Sequence, residues 1–594
     1  MFTTDDVVNL DYSDKKRKEI LTKLKATEFD ILIIGGGITG AGVARDAIMR
    51  GLNVALVEKD DFAEGTSSRS SKLFHGGLRY LQTFEINLVE SATRERNWAR
   101  DVALPHNVRP LHLIIPIFGE RRDQRTGKTL PPSKWNLTLV KAGLKLYDDV
   151  CKNQNYGTWE IIKDPKKMAE IAPELNNDQL IGMGLYYDTI MDDARVTVET
   201  IKESVASKKC TALNYIKVID FIYNEKGIIN GVKVVENDKF SPHIQHESFI
   251  IKANAVVNCA GVWADEILKN PDELKLIKPS KGIHFAVKIE NLNVKHGFGL
   301  TNIDDGRYFF VIPRDNWVLI GTTDTFYEKN LDKPVASKEE IDYLRNTVEL
   351  LFPNTKLDDS YILGSYAGLR PLVLEHGKDA GAISQKHVYL ERNDGLFTLV
   401  GGKYTTFRLM AEDLIRRRII RSKKVDITRN NTITVSSERN ITKIPYAITF
   451  PRDEFKMSDQ FKAAQEKIDQ NVLDHLYIEF GKGALMIIDA ILKKPDLGNP
   501  LLHDPDYPPK YFPWVKAEII YVIQHEIPRH LNDVLCRRTE ICWLVDPSKQ
   551  RKIAEVTVGI MGEILGWDKI RKKAEIDFYL SYIKNNSCFY HGII

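Results

Sequence analysis

Residues 65 to 81 read "GTSSRSSKLFHGGLRYL". Four serines, Arg69, Arg79, Lys72, His75 and the pair Gly76–Gly77 crowd into this one run. It has too many cations for a core strand and too many small residues for an ordinary surface helix. Small hydroxyl residues let a backbone come close to a ligand, and clustered cations hold an anion. The run therefore reads as one wall of an anion site, and the flanking segments must say what stands beside that anion.

Gly35, Gly37 and Gly40 form Gly-x-Gly-x-x-Gly between the apolar run "FDILII" and the helical stretch "AGVARDAIMRG". The first glycine permits a tight turn, the second a close approach to a pyrophosphate, and the third close packing of helix on strand. The helix start then offers free N–H groups to phosphate. Glu58 ends the second apolar run, "NVALVE", where a carboxylate meets a ribose 2′-hydroxyl. That favours FAD or NAD over NADP. Two later segments favour FAD. "VVNCAGVWAD" carries Ala260 and Gly261 after a strand, a pattern shared with many flavoproteins. "GLFTLVGGKYTTFRLMAED" carries Gly401, Gly402 and Thr405 at a helix start, whose positive end would stabilise charge on a reduced flavin.

The elements that position these residues follow from the apolar pattern. The strand–helix–strand start over 29–58 is a βαβ unit. Further strand-like runs are "HLIIPIF", "GVKVVE", "AVVNCAG", "RYFFVIP" and "WVLIGTT". They predict an α/β fold with a mixed sheet added. "MAEDLIRRRIIRSKK" reads as a helix with a basic end, and the polar "SERNITK" as a linker. Beyond about 445 the runs are helical: "EKIDQNVLDHLYIEF", "KGALMIIDAILKK" and "HEIPRHLNDVLCRRTEICWL". With 594 residues, two or three domains are expected.

Bulk properties exclude several classes. A net charge of +3 argues against a dedicated nucleic-acid binder. The six cysteines form no Cys-x-x-Cys pair, so no zinc or dithiol site is expected and reduced thiols are. The N-terminal segment resembles neither a secretory signal nor a transit peptide. No apolar run is long enough to span a bilayer. No calcium-loop pattern occurs.

The segments "IIGGGITGAGVARDA", "GTSSRSSKLFHGGLRYL", "MDDAR", "KGIH", "IPRDNWVLIGTTDT", "YAGLRPL" and "GGKYTTFR" stand in an order that resembles the respiratory, FAD-dependent glycerol-3-phosphate dehydrogenase family. The resemblance covers residues 28 to 415 strongly and the tail more loosely, through "NDVLCRRT". It implies an FAD-binding Rossmann-like domain of the glutathione-reductase/amino-acid-oxidase type, a mixed-sheet substrate domain and an all-helical C-terminal domain. The expected bounds are 28–105, 185–270 and 363–420 for the first, 106–184 and 271–362 for the second, and 440–594 for the third.

It also implies a reaction: oxidation of sn-glycerol 3-phosphate to dihydroxyacetone phosphate, with hydride moving from C2 to flavin N5. Arg79, Arg370 and Lys403 are then the phosphate cations and Tyr80 an added hydrogen bond. Arg370 also stabilises an alkoxide-like transition state. His75 or His284 accepts the hydroxyl proton, with His75 preferred. Thr66, Ser67, Ser68, Ser71 and Lys72 line the flavin. Gln385 stands where the family has an arginine, which removes one positive charge.

Electrons would pass to quinone, as the short stretch after "GLRPL" suggests, or to oxygen, making the chain an oxidase. Residues 120 to 146 hold Arg121, Arg122, Arg125, Lys128, Lys134, Lys141 and Lys145 against Glu120 and Asp123. Leu137, Val140, Leu144 and Tyr147 recur at helical spacing there. This predicts peripheral contact with anionic lipid, on the inner face of the cytoplasmic membrane of a cytoplasmic protein. The competing reading is a helix packed on the protein's own core. A homodimer is expected. A reading of another class, an FAD-bearing RNA-binding protein, lacks an RNA-binding aromatic motif.

Overall fold

The computed structural model describes residues 3–122, 129–130, 132–133, 136–151, 155–240, 247–268, 275–355, 357–375, 386–422 and 445–586. The run "FDILII" becomes the strand Glu28–Ile34, in the middle of an eight-stranded sheet. Phe29, Ile31, Leu32 and Ile33 are all buried, as a central parallel strand covered on both faces requires. Parallel neighbours are Phe249–Asn258 on one side and Val54–Val57 on the other. Cys210–Leu213 and Leu396–Gly401 extend the parallel part. Ile216–Tyr223 and Ile229–Glu236 add an antiparallel pair. The helix Ile38–Met49 lies against the helix Phe407–Leu414 beside this sheet.

A nine-stranded sheet forms the second layer system. It is antiparallel except where Gly297–Thr301 runs parallel to Arg109–Phe118. Ile341, Leu344, Val348 and Leu351 of the helix Lys338–Leu351 belong to the apolar core built on this sheet. Two expected domain bounds move. Leu180–Ile190 pairs with Arg109–Phe118, and Ile362–Arg370 pairs with Ser280–Lys288, so both are strands of the second sheet. The expected bounds at 185 and 363 cut through these strands. Each strand is continuous there, with no turn to mark a boundary. Their ends carry Asp188 and Arg370 to the cavity described below.

From 445 onward the described residues form helices, chiefly Gln470–Phe480, Gly483–Lys493, Lys516–His525, Gln550–Leu565 and Lys569–Asn586. "HEIPRHLNDVLCRRTEICWL" is not one helix. The helix ends at His525, and Ile527 takes a left-handed φ of 47° before Pro528, which disfavours right-handed helix at that position. The chain resumes as the π-helical turn Asp533–Arg538 and the short helix Ile541–Leu544. The "CRRT" arginines point inward: Arg537 and Arg538 are buried and both bond Asp61 of the first domain. Cys151, Cys210, Cys259, Cys536 and Cys542 are buried thiols outside any disulfide.

The amphipathic stretch forms the helix Leu137–Val150, N-capped by Asn136. Val140, Leu144 and Tyr147 are buried in the core, so the expected apolar stripe faces the protein and not solvent. Arg125, Lys128 and Lys134 lie outside the described residues, as does Gln385. Among the described residues no helix is long and apolar enough to cross a membrane.

Candidate active site

The glycine turn follows its sequence logic. Gly35 has φ +114°, and a Cβ there would lie 2.5 Å from the Cys259 carbonyl oxygen. A Cβ on Gly40 would run into the Gly35 carbonyl, so the third glycine serves helix–strand packing. The helix that follows has Gly37 at its N-cap, which has no side chain to fill its N-terminus. Ser67 Oγ reaches it and accepts from Ile38 N at 2.9 Å. Glu58 is held by Gly36 N at 2.7 Å and Asp60 N at 2.9 Å. Burial, with Asp60 nearby, pushes its carboxyl up to about 7.

A channel runs along this turn. Gly35, Gly37, Glu58, Thr66, Ser67, Ala260, Gly261, Gly401 and Gly402 line it. Gly401 and Gly402 have φ of +72° and +73°, a backbone that other residues adopt only with strain. That pair turns the chain from the strand Leu396–Gly401 into the helical start Tyr404–Thr406. A helix N-terminus with glycine at its cap, a carboxylate at the far end and a second helix start at the near end fit a dinucleotide flavin along the whole channel.

A cavity of about 200 Å³ opens beside the channel and shares Thr66, Gly401, Gly402, Lys403 and Tyr404 with it. His75, Arg79, Tyr80, His284, Arg370 and Lys403 all line it. The sequence-predicted site residues from four separate segments therefore meet in one place. Arg370 ends its strand beside Asp324, at 3.2 Å, and Thr322 Oγ1, at 2.9 Å. Burial lowers its affinity for its proton, with Asp324 opposing. Lys403 Nζ is buried against the Tyr80 ring, and burial lowers its ammonium to about 8, with Tyr80 opposing.

The two histidines differ. Burial, with Lys403 and Arg79 close by, lowers His75 to about 3, so its ring is neutral across the physiological range. His284 Nε2 shares a hydrogen bond with Ser71 Oγ at 2.9 Å, and its ring stacks on Tyr366. Burial, with Arg370 and Lys72, holds it well below the ordinary histidine value. His284 is thus fixed in place through one nitrogen.

Other expected residues sit elsewhere. Ser71 and Thr405 line the smaller cavity rather than the channel. Ser68 and Lys72 line neither. Ser68 is buried. Lys72 is also buried, and its ammonium bonds Asp193 Oδ1 at 2.6 Å and Glu540. A hydroxyl- and cation-rich run alternates between facing a ligand and facing the protein, and its composition alone does not say which residue does which.

The sequence reading missed Asp188, Tyr308 and Phe310, which complete the cavity. Asp188 accepts from Gly76 N at 3.1 Å, from Arg96 and from Tyr147 Oη, and so fixes the turn beyond His75. It lies just before the quoted "MDDAR", in the run "LYYDTI", which reads as an ordinary strand. "MDDAR" itself is structural: Asp192 caps the helix Asp193–Ala206, and Asp193 holds Ser70 and Lys72.

The family model "FAD dependent oxidoreductase" matches residues 30–412, and "C-terminal domain of alpha-glycerophosphate oxidase" matches residues 447–572. An aerobic glycerol-3-phosphate dehydrogenase from Staphylococcus saprophyticus is 33% identical over 576 residues, covering 95% of each chain. One from Staphylococcus aureus is 33% identical over 533 residues, covering 88% of this chain and 89% of that one. The crystal structure of the glycerol-3-phosphate dehydrogenase from Bacillus halodurans, complexed with FAD, superposes with a TM-score of 0.72 at 27% identity, covering 97% of this chain and 98% of that one. The channel fits a dinucleotide flavin, and by these matches the chain belongs to the FAD-dependent glycerol-3-phosphate dehydrogenase family, with FAD as its cofactor.

Proposed function

We propose that the chain oxidises sn-glycerol 3-phosphate to dihydroxyacetone phosphate and passes the electrons to a quinone. The observation that carries this reading is the meeting of Arg79, Arg370, Lys403 and a neutral His75 in one cavity that opens into the cofactor channel. Bound FAD would supply the acceptor, at its N5, for the hydride from C2. The chain supplies the rest. Arg79, Arg370 and Lys403 hold the phosphate, the arginines with their planar forks and the lysine as a point charge. That would orient the C2 end of the substrate in the cavity, which is the positioning part of the rate. His75 accepts the C2 hydroxyl proton: its ring is neutral and open to the cavity, and a bound phosphate would offset the Lys403 and Arg79 charges that help to depress its basicity. Arg370 stabilises the negative charge that grows on that oxygen as hydride leaves.

A quinone is lipid-soluble, and one surface supports a membrane-side acceptor. Phe84 is 86% exposed, Leu139 56% and Ile86 41%. Leu139 and the exposed Leu146 share one side of the helix Leu137–Val150, and Lys141 and Lys145 are exposed elsewhere on its outer surface. That helix packs against the segment Leu78–Thr83, which leads into Phe84. Exposed apolar side chains and lysines on one helix suit the surface of an anionic bilayer. The apolar residues concerned are not the stripe the sequence pattern singles out, which is buried.

The test is to assay purified protein with sn-glycerol 3-phosphate and either a water-soluble quinone or oxygen alone. Quinone-dependent turnover with little hydrogen peroxide supports the reading. Stoichiometric hydrogen peroxide without quinone would make the chain an oxidase.

A further inference from the structure

We propose that Glu540, from the C-terminal helical domain, is a positioning residue for this oxidation, acting through Lys72 and the serine run on His284. The proposal rests on the function proposed above. Glu540 sits at a left-handed φ of 57° and is 3% exposed. An L side chain takes that backbone at an energetic cost, so the local fold accepts strain to aim this carboxylate inward. One oxygen meets Lys72 Nζ and the other Arg314 at 3.3 Å. Lys72 also bonds Asp193, whose second oxygen accepts from Ser70 N at 2.9 Å and Ser70 Oγ at 2.6 Å. Ser71, the next residue, holds His284 Nε2. Charge-assisted bonds thus run from the C-terminal domain to Ser70, and the adjoining Ser71 carries the path by a neutral hydrogen bond to an imidazole lining the substrate cavity.

A second path runs parallel to it. Trp543 packs its backbone on Gly364, where a Cβ would come within 2.8 Å of the Trp543 carbonyl oxygen. Its ring lies 5.6 Å from Tyr366, which stacks on His284 and donates its hydroxyl to Ser70 O at 2.8 Å. The C-terminal domain therefore backs both the serine run and the histidine.

The carboxylates of Asp192, Asp193 and Glu540 converge closely enough to hold a metal. Lys72 and Arg314 already supply positive charge to Asp193 and Glu540, so the cluster is a latch between domains.

The experiment compares four FAD-loaded proteins: wild type, Glu540→Gln, Ser71→Ala and the double variant. Each is mixed anaerobically with sn-glycerol 3-phosphate, and the reduction rate per bound flavin is read against substrate concentration. Glu540→Gln is expected to slow reduction about tenfold with a much smaller change in substrate affinity, as a slight displacement of a site group does. The double variant is expected to be no slower than the slower single variant, because both changes break one path. A purely structural role lowers melting temperature and flavin content and leaves the rate per bound flavin alone. That result, or rate losses that multiply in the double variant, overturns the proposal. Should Glu540→Gln not fold, Glu540→Asp keeps the charge but shortens its reach, and reads the same coupling. A wild-type flavin that the substrate leaves oxidised overturns the function reading, and this proposal with it.

Discussion

Lys403 Nζ lies 3.0 Å from the centroid of the Tyr80 ring. The contact joins the segment after the strand Leu396–Gly401 to the segment Leu78–Thr83, far apart in the chain. An ammonium beside an aromatic face is held by the ring's quadrupole, and Lys403 Nζ still lines the cavity where an anion would enter. Replacing Lys403 with Met is expected to raise KM for the substrate about tenfold to a hundredfold, as loss of a charged hydrogen bond does. kcat should change less.

The same lysine sets a pH dependence. Its ammonium, lowered to about 8 mainly by burial, carries charge below that pH and loses it above. Phosphate binding favours the charged form, so affinity is full below about 8 and weakens as pH rises through it. KM measured from pH 7 to 10 should climb in the wild type and stay flatter in Lys403→Met. Equal slopes in the two proteins would assign the limb to another group.

The histidines should separate kinetically. His75→Asn is expected to slow flavin reduction about a hundredfold to ten-thousandfold, the usual range for a lost general base, with FAD retained. His284→Asn should cost less, since its ring is bonded to Ser71 and acts by shaping the cavity. Rates from single-turnover reduction decide it, and a larger loss at His284 would exchange the two roles.

How much of this was legible beforehand depended on whether a residue's task was local. Gly35, Gly37, Gly40 and Glu58 work within one βαβ unit, so spacing alone singles them out; Gly35, Gly37 and Glu58 line the channel, and Gly40 packs helix on strand. His75, Arg79, His284, Arg370 and Lys403 were found through the family's motifs, and the fold brings them together. Lys72 was misplaced because its partners, Asp193 and Glu540, come from distant segments that no local pattern links to it. Helical spacing singled out Val140, Leu144 and Tyr147 correctly as one face. It could not say whether that face met lipid or core, which is a tertiary matter. The strands Leu180–Ile190 and Ile362–Arg370 were split because a domain boundary inside a continuous apolar strand leaves no composition signal.

Glu58 is expected to matter for cofactor retention. Glu58→Ala removes the carboxylate at the far end of the channel and should weaken FAD binding about tenfold to a hundredfold, in line with loss of a charged hydrogen bond. Titrating apo-protein with FAD and following flavin fluorescence measures it, and unchanged affinity would remove Glu58 from the site.

The membrane reading predicts a charge- and apolar-dependent effect. Wild type should sediment with anionic vesicles and less with neutral ones. Phe84→Ser with Leu139→Ser, or Lys134, Lys141 and Lys145 all changed to Glu, should release it, while oxidation of substrate with a soluble acceptor persists. Sedimentation that survives both sets would move the contact to another surface.

The most direct test of the central claim is anaerobic. The purified yellow protein is mixed with sn-glycerol 3-phosphate, and the oxidised-flavin band near 450 nm, typical of flavins, is followed. The account predicts rapid bleaching, with colour restored when a quinone is added. Flavin that stays oxidised beside saturating substrate, yet bleaches with a hydroxy or amino acid, would contradict it.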